Sequence, residues 1–154
     1  MRSALIAVTT TLIFLAVGQS FAAENPQDIA DIKSTIQTAY VEGLQNEGDL
    51  EKIDQGFHPD FAMLGVGDDG SMWKLPIAKW KEGVAKEVEE GKLPTSDEEK
   101  VSVKFLSVDV TGAAAVAKFE FYIGDTLSYV DYMSLYKFGD DWKIVAKVFH
   151  QIKE

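Results

Sequence analysis

Hydrophobic positions change period along this chain, and each change marks an element. Ile29, Ile32, Ile36, Tyr40 and Leu44 recur at three- and four-residue steps, which is one apolar stripe on a helix. Asn25-Pro26 reads as its start, with Asn as the cap and Pro at the first helical position, and Gly48 as its end. Asp49 caps a short second helix, Leu50 to Gln55, stopped by Gly56, and Phe57-His58-Pro59-Asp60 reads as a connector. Phe61 to Val66 reads as a strand, turned at Asp68-Asp69-Gly70 and returned by Ser71-Met72-Trp73-Lys74 as a hairpin. Pro76 opens a third helix with Ile77, Trp80, Val84 and Val88 on one face, and Gly91 closes it. Gly91 to Lys100 is a polar loop.

Beyond Lys100 the period is two. Val101, Val103 and Phe105 alternate with polar residues, and then Leu106, Val108 and Val110 take over. That change of parity predicts a β-bulge between Phe105 and Leu106. Ala113 to Ile123, Leu127 to Phe138 and Trp142 to His150 follow, joined by Gly124-Asp125 and Gly139-Asp140-Asp141 as tight antiparallel turns. Simple alternation assigns the faces. Ala115, Ala117, Phe119 and Phe121 point inward, as do Leu127, Tyr129, Asp131, Met133 and Leu135, and then Trp142, Ile144, Ala146, Val148 and His150. Lys143, Val145, Lys147 and Phe149 fall on the outer face with Lys118, Glu120, Tyr122, Tyr132 and Tyr136. Three helices followed by a long bent meander predict an α+β fold, with the helices on one face of a strongly curved antiparallel sheet. Such a sheet encloses a cone with a mouth.

The chain has 154 residues and a formal net charge of −10. Residues 1–22 are expected to be a cleavable export signal: Arg2, then an apolar run from Ala4 to Val17, then Ser20-Phe21-Ala22 as a small-residue cleavage site. The run is shorter than a membrane-spanning helix, so no membrane anchor is expected after cleavage. Residues 23–154 are then one acidic domain, periplasmic or secreted, whose charge repels nucleic acid. There is no cysteine, hence no disulfide and no thiolate chemistry. Two histidines and the absence of any repeated ligand spacing lead to the expectation of no metal and no cofactor. Gly65-Val66-Gly67-Asp68-Asp69-Gly70 fits G-x-G-x-x-G, but a strand follows it and its aspartates repel phosphate, so a hairpin turn is expected instead.

Three stretches carry a family resemblance. They are Phe119-Glu120-Phe121-Tyr122-Ile123-Gly124-Asp125, then Tyr129 to Phe138, then Asp141-Trp142-Lys143-Ile144-Val145. His58-Pro59-Asp60-Phe61 and the segment from Trp73 to Trp80 add to it. The chain resembles the nuclear-transport-factor-2-like (NTF2-like) superfamily from about Gln27 to Gln151, most closely its SnoaL-type branch in the group labelled putative lumazine-binding. The resemblance implies the cone fold and, commonly, dimers formed through the outer sheet face. It implies no single activity, because the superfold hosts isomerases, hydrolases, dehydratases and binding proteins.

Asp131 is the candidate with the most chemistry. A carboxylate pointing inward among apolar neighbours is either hydrogen-bonded, to Tyr40, a Trp indole or a backbone amide, or held at a raised pKa. Either state suits a ligand anchor or a general base; the alternative is a purely structural carboxylate satisfied by those same bonds. His150, read as inward, is a second proton carrier if it approaches Asp131. Tyr40, Tyr129 and Met133 around that carboxylate, His58 at the connector and Trp73 on the hairpin are the candidate ligand contacts. Three readings follow. The first is an exported protein binding a small molecule in a partly aromatic cone. The second is an enzyme of the same fold with Asp131 as base and His150 or Tyr129 assisting. The third is a structural homodimer without ligand.

Overall fold

A computed structural model describes residues 25–153, and the expected export signal at 1–22 lies outside them. Helix α1 (Pro26–Thr35) starts as its sequence requires: Asn25 Oδ1 accepts the Gln27 N–H at 3.1 Å and Pro26 follows. At Ile36 the helix widens into a π-helix, Ile36–Glu47, which the apolar stripe did not announce. The wider turn buries Ile36, Ala39, Tyr40, Val41, Gly43, Leu44 and Asn46. π-Helical turns are uncommon and concentrate at functional sites. Gly48 ends the helix at φ 72°, and Asp49 caps α2 (Leu50–Gly56) by accepting from the N–H groups of Glu51 and Lys52.

Six strands follow the two N-terminal helices. They are β1 (Phe57–Val66), β2 (Met72–Pro76), β3 (Val101–Thr111), β4 (Ala114–Ile123), β5 (Thr126–Phe138) and β6 (Asp141–Gln151), with α3 (Ile77–Glu89) after β2. They form one sheet in the order β2-β1-β6-β5-β4-β3. Neighbours are antiparallel except β1 and β6, which run parallel. The expected meander accounts for β3 to β6. The parallel pair is a non-local contact, closed only after the chain has passed through the hairpin, α3 and three more strands.

Phe57 to Asp60, expected as a connector, belong to β1. Phe57 pairs with Ile144 and Ala62 with Ala146, so His58 to Phe61 bulge out opposite the single residue Val145. Pro59 has no N–H to give to a ladder, and a strand containing it survives by bulging. The sequence Gly65 to Gly70 is the hairpin end, with the Gly67 N–H bonded to the Ser71 carbonyl at 2.8 Å.

Bulges set the inward faces. The one expected on β3 is present: Phe105 pairs with Phe119 and Ser107 with Lys118, leaving Leu106 over. Two more occur. On β5, Ser128 is extra, so Leu127 pairs with the outward Tyr122 instead of sharing the face of Tyr129. On β6, Val145 is extra between the pairs Leu135–Ile144 and Ser134–Ala146. A single added residue exchanges the faces of every side chain beyond it. Trp142 and Ile144 therefore point inward as expected, but Lys147 and Phe149 follow them inward. Val148 and His150 turn outward and are exposed. The inward placement of His150 is thus corrected.

The bent sheet wraps α1, the π-helix and α3 into a cone. Ile32, Ile36, Phe61, Phe119, Met133, Leu135 and Ile144 fill its interior with almost no exposure. The narrow end is shut by Trp142, whose Nε1 donates to Asp28 Oδ1 at 3.0 Å, and Lys137 Nζ donates to the same oxygen at 2.7 Å.

Candidate functional site

The wide end of the cone holds a cavity of about 430 Å³. That is within the usual range for a small-molecule site. Tyr40 and Gln45 come from the π-helix, Met63 from β1, Trp80 from α3, Phe121 from β4, Tyr129 from β5, and Lys147 and Phe149 from β6. Ile123 at the end of β4 and Val101 at the start of β3 complete the wall with Thr95 and Glu99 from the loop before β3. That loop is tied to the π-helix. Asn46, buried, donates to the Val101 carbonyl at 2.9 Å and accepts the Val101 N–H at 2.8 Å, a side chain standing in for a strand partner. The Thr95 N–H bonds to the Asn46 carbonyl at 2.8 Å.

At the cavity floor three side chains from three elements converge. Tyr40 Oη donates to Asp131 Oδ2 at 2.9 Å. Lys147 Nζ donates to Tyr40 Oη at 2.7 Å and lies 2.8 Å from Asp131 Oδ2. Rings surround the ammonium: the centroids of Tyr40, Phe149, Phe121 and Trp80 lie 4.9, 5.1, 5.8 and 5.9 Å from Nζ. Ring faces attract a cation and partly replace the water it has lost. Asp131 is fully buried, and its Oδ1 has no hydrogen-bond partner among the described residues.

Burial governs the charges. It pushes the Asp131 carboxyl above its ordinary range, against the opposing pull of Lys147 and Tyr40. It draws the Lys147 ammonium below the ordinary lysine range, against the opposing effect of Asp131. The Tyr40 hydroxyl is held well above its usual value by burial and by the Asp131 charge. The free energies of the ion pair and of the proton-transferred, neutral pair are therefore drawn towards each other.

Tyr40, Tyr129 and Asp131 do meet at this site, with Tyr40 and Tyr129 on the cavity wall and Asp131 behind them. Of the three side chains of the cluster, Tyr40 and Lys147 line the cavity and the carboxylate does not. Met133 is cross-strand from Lys147 but wholly within the core. His150 stands on the outer face beside Val148 and the β1–β2 hairpin. His58 stacks on Phe138 at 4.7 Å, away from the cavity. The Trp73 ring lies over Gly65, where a Cβ would come within 2.0 Å of it, and backs Phe149 at 6.0 Å without lining the cavity. Lys147 was missed because alternation placed it outside. Its one signal in the sequence is Phe149, an aromatic out of phase with Trp142 on the same strand.

The sequence model of a family described as "Putative lumazine-binding" matches residues 27–150. The chain belongs to this family. Solved structures share its NTF2-like fold. An NTF2-like protein of unknown function from Shewanella baltica matches with a TM-score of 0.64 at 20% identity, covering 83% of this chain and 96% of that one. Another from Silicibacter pomeroyi matches at 0.64 and 18%, covering 82% and 97%. A third, from Methylobacillus flagellatus, matches at 0.59 and 22%, covering 85% and 97%. At these identities the likeness is one of fold. Among curated proteins nothing matches this chain.

Proposed function

We propose that this protein is exported and binds a small, flat, aromatic molecule that presents a hydrogen-bond acceptor, such as a ring carbonyl, to Lys147. The observation that carries this reading is the donor count at the cavity floor. An ammonium has three N–H donors. Lys147 gives one to Tyr40 and turns another toward Asp131, its ion-pair partner at 2.8 Å, and the residue lines the cavity. The remaining donor serves an acceptor on the guest. Because Asp131 balances the lysine charge, the guest need not be an anion. The aromatic wall of Trp80, Tyr129 and Phe149 suits a planar ring. A lumazine, a fused heterocycle with ring carbonyls, meets these requirements, and the family description is in keeping with such a guest.

Trp80 supplies the readout. Titration with a panel of heteroaromatic carbonyl compounds that includes lumazine is expected to quench its fluorescence saturably, and Lys147→Met to weaken that binding at least tenfold, about 1.4 kcal/mol. A protein that quenches with no member of the panel, and that carries no small molecule when purified from its own cell envelope, sinks the reading. The outer sheet face exposes Val116, Tyr132, Tyr136 and Val148. We place a second copy of the chain there, and a monomer in analytical ultracentrifugation at micromolar concentration would remove that part of the proposal.

A further inference from the structure

Lys147 has chemistry that hydrogen bonding to a guest does not use. Its amine is a nucleophile once it gives up a proton, and the acceptor for that proton is already in place at 2.8 Å on Asp131. Tyr40 Oη bridges the two groups, 2.7 Å from Nζ and 2.9 Å from Oδ2. We propose that Lys147 captures aromatic aldehydes or ketones in the cavity as a Schiff base, with Tyr40 and Asp131 moving the protons. This rests on the reading of the cavity as a small-molecule site and names the class of molecule that reacts there.

The step balances within the cluster. Lys147 passes a proton to Asp131, and the freed lone pair attacks the carbonyl carbon. The carbonyl π electrons move to oxygen, which takes a proton from Tyr40, and Tyr40 regains one from Asp131. The nitrogen of the resulting carbinolamine releases a proton to Asp131. The C–O bond then breaks, the hydroxyl leaves as water with the proton returned through Tyr40, and the nitrogen lone pair closes C=N. One ammonium and one carbonyl compound become one protonated imine and one water. Asp131 ends as it began, a carboxylate beside a cation, so the buried charge balance is the same before and after. The burial that draws the Lys147 ammonium and the Asp131 carboxyl towards each other makes the first transfer cheaper than on an exposed lysine.

The charged or titratable groups facing the amine are Asp131 and Tyr129 from β5 and Tyr40 from the π-helix, with Glu99 at the exposed rim. Each unit by which an amine's pKa falls raises its neutral fraction about tenfold at neutral pH. The purified protein, treated with 2-naphthaldehyde and sodium cyanoborohydride near neutral pH and mapped by peptide mass spectrometry, is expected to carry the reduced adduct on Lys147. Labelling there should be about tenfold or more faster than on exposed lysines such as Lys79, Lys86 or Lys92 in the same molecule. Tyr40→Phe is expected to slow labelling of Lys147 while labelling of Lys79 and Lys86 in the same molecule keeps its wild-type rate. The comparison among lysines of the folded wild type does not depend on any variant folding. Quenching without preferential labelling of Lys147 overturns the amine chemistry and leaves the binding reading standing. Neither quenching nor labelling overturns both.

Discussion

The molecule builds the same cluster twice, at opposite ends of its cone. At the narrow end Asp28 accepts from Lys137 at 2.7 Å and from the Trp142 indole at 3.0 Å. At the wide end Asp131 accepts from Tyr40 at 2.9 Å and is paired with Lys147 at 2.8 Å. Each is a carboxylate shared by a lysine and an aromatic donor. They differ in solvent. The side chains of Lys137 and Asp28 are 29% and 14% exposed, those of Lys147 and Asp131 7% and 0%. The proton affinities respond in opposite directions. Asp28 is lowered, chiefly by its bonds to Lys137 and Trp142, and Lys137 is raised by its bond to Asp28. Asp131 is raised and Lys147 lowered, both by burial. Partner and distance are nearly constant between the two, so the loss of water is what reverses the direction in which the proton affinities move.

The strongest way to break the comparison is to remove the bulge that creates the buried cluster. Deleting Val145 slips the rest of β6 by one position, which sends Lys147 and Phe149 outward and brings Val148 and His150 in. The expected loss is more than about 4 kcal/mol in urea denaturation, in the class of exceptional single changes. Next comes Lys147→Met, which strands Asp131 in the core with Tyr40 alone and is expected to cost about 3–5 kcal/mol. The double change Lys147→Met with Asp131→Leu is expected to recover most of that, because an apolar pair needs no desolvated charge. The corresponding change at the narrow end, Lys137→Met, is expected to leave the urea midpoint close to wild type.

Tyr40→Phe is a milder test. It removes one charge-assisted hydrogen bond from a buried carboxylate, for an expected loss of about 1.5–3 kcal/mol, and a value no larger than that of Trp142→Phe would make the two clusters alike. The smallest effects are in pH. The Asp28 clamp stabilises above the unfolded value of 3.8 and fades as pH falls through its lower folded value, so Asp28→Asn should flatten the acid limb of stability against pH. For Asp131 the sign reverses: the folded chain keeps the proton longer, and stability falls as pH rises from 3.8 through the folded value. Lys147, lowered from 10.5, adds stability as pH rises from its folded value toward 10.5. The double variant should lack both trends, which urea midpoints from acid to alkaline pH will read.

Legibility in the sequence differed even between two bulges of one sheet. The β3 bulge shows because Ser102 and Lys104 before it and Ser107 and Asp109 after it alternate in opposite phase around the adjacent pair Phe105-Leu106. The β6 bulge hides because Lys143 and Lys147 share a parity, so a straight strand with both lysines outside is equally self-consistent. The error at His150 and the missed Lys147 have this one cause. Likewise Pro59 read as a break because propensity is local, whereas β1 is held by β6, a strand more than eighty residues later in the chain.

Local physical chemistry, present in the sequence by itself, determined the caps at Asn25 and Asp49, the stop at Gly48, the hairpin turn, the helical and strand periods and the inward parity of Asp131. Tertiary structure alone decided the parallel pairing of β1 with β6, the π-helical turn that carries Tyr40 and the side on which Lys147 falls. The division follows from range. A cap or a turn is settled among neighbours in the chain. A bulge is settled by the register of two strands against each other, and one residue of register places a lysine in solvent or beside a buried carboxylate.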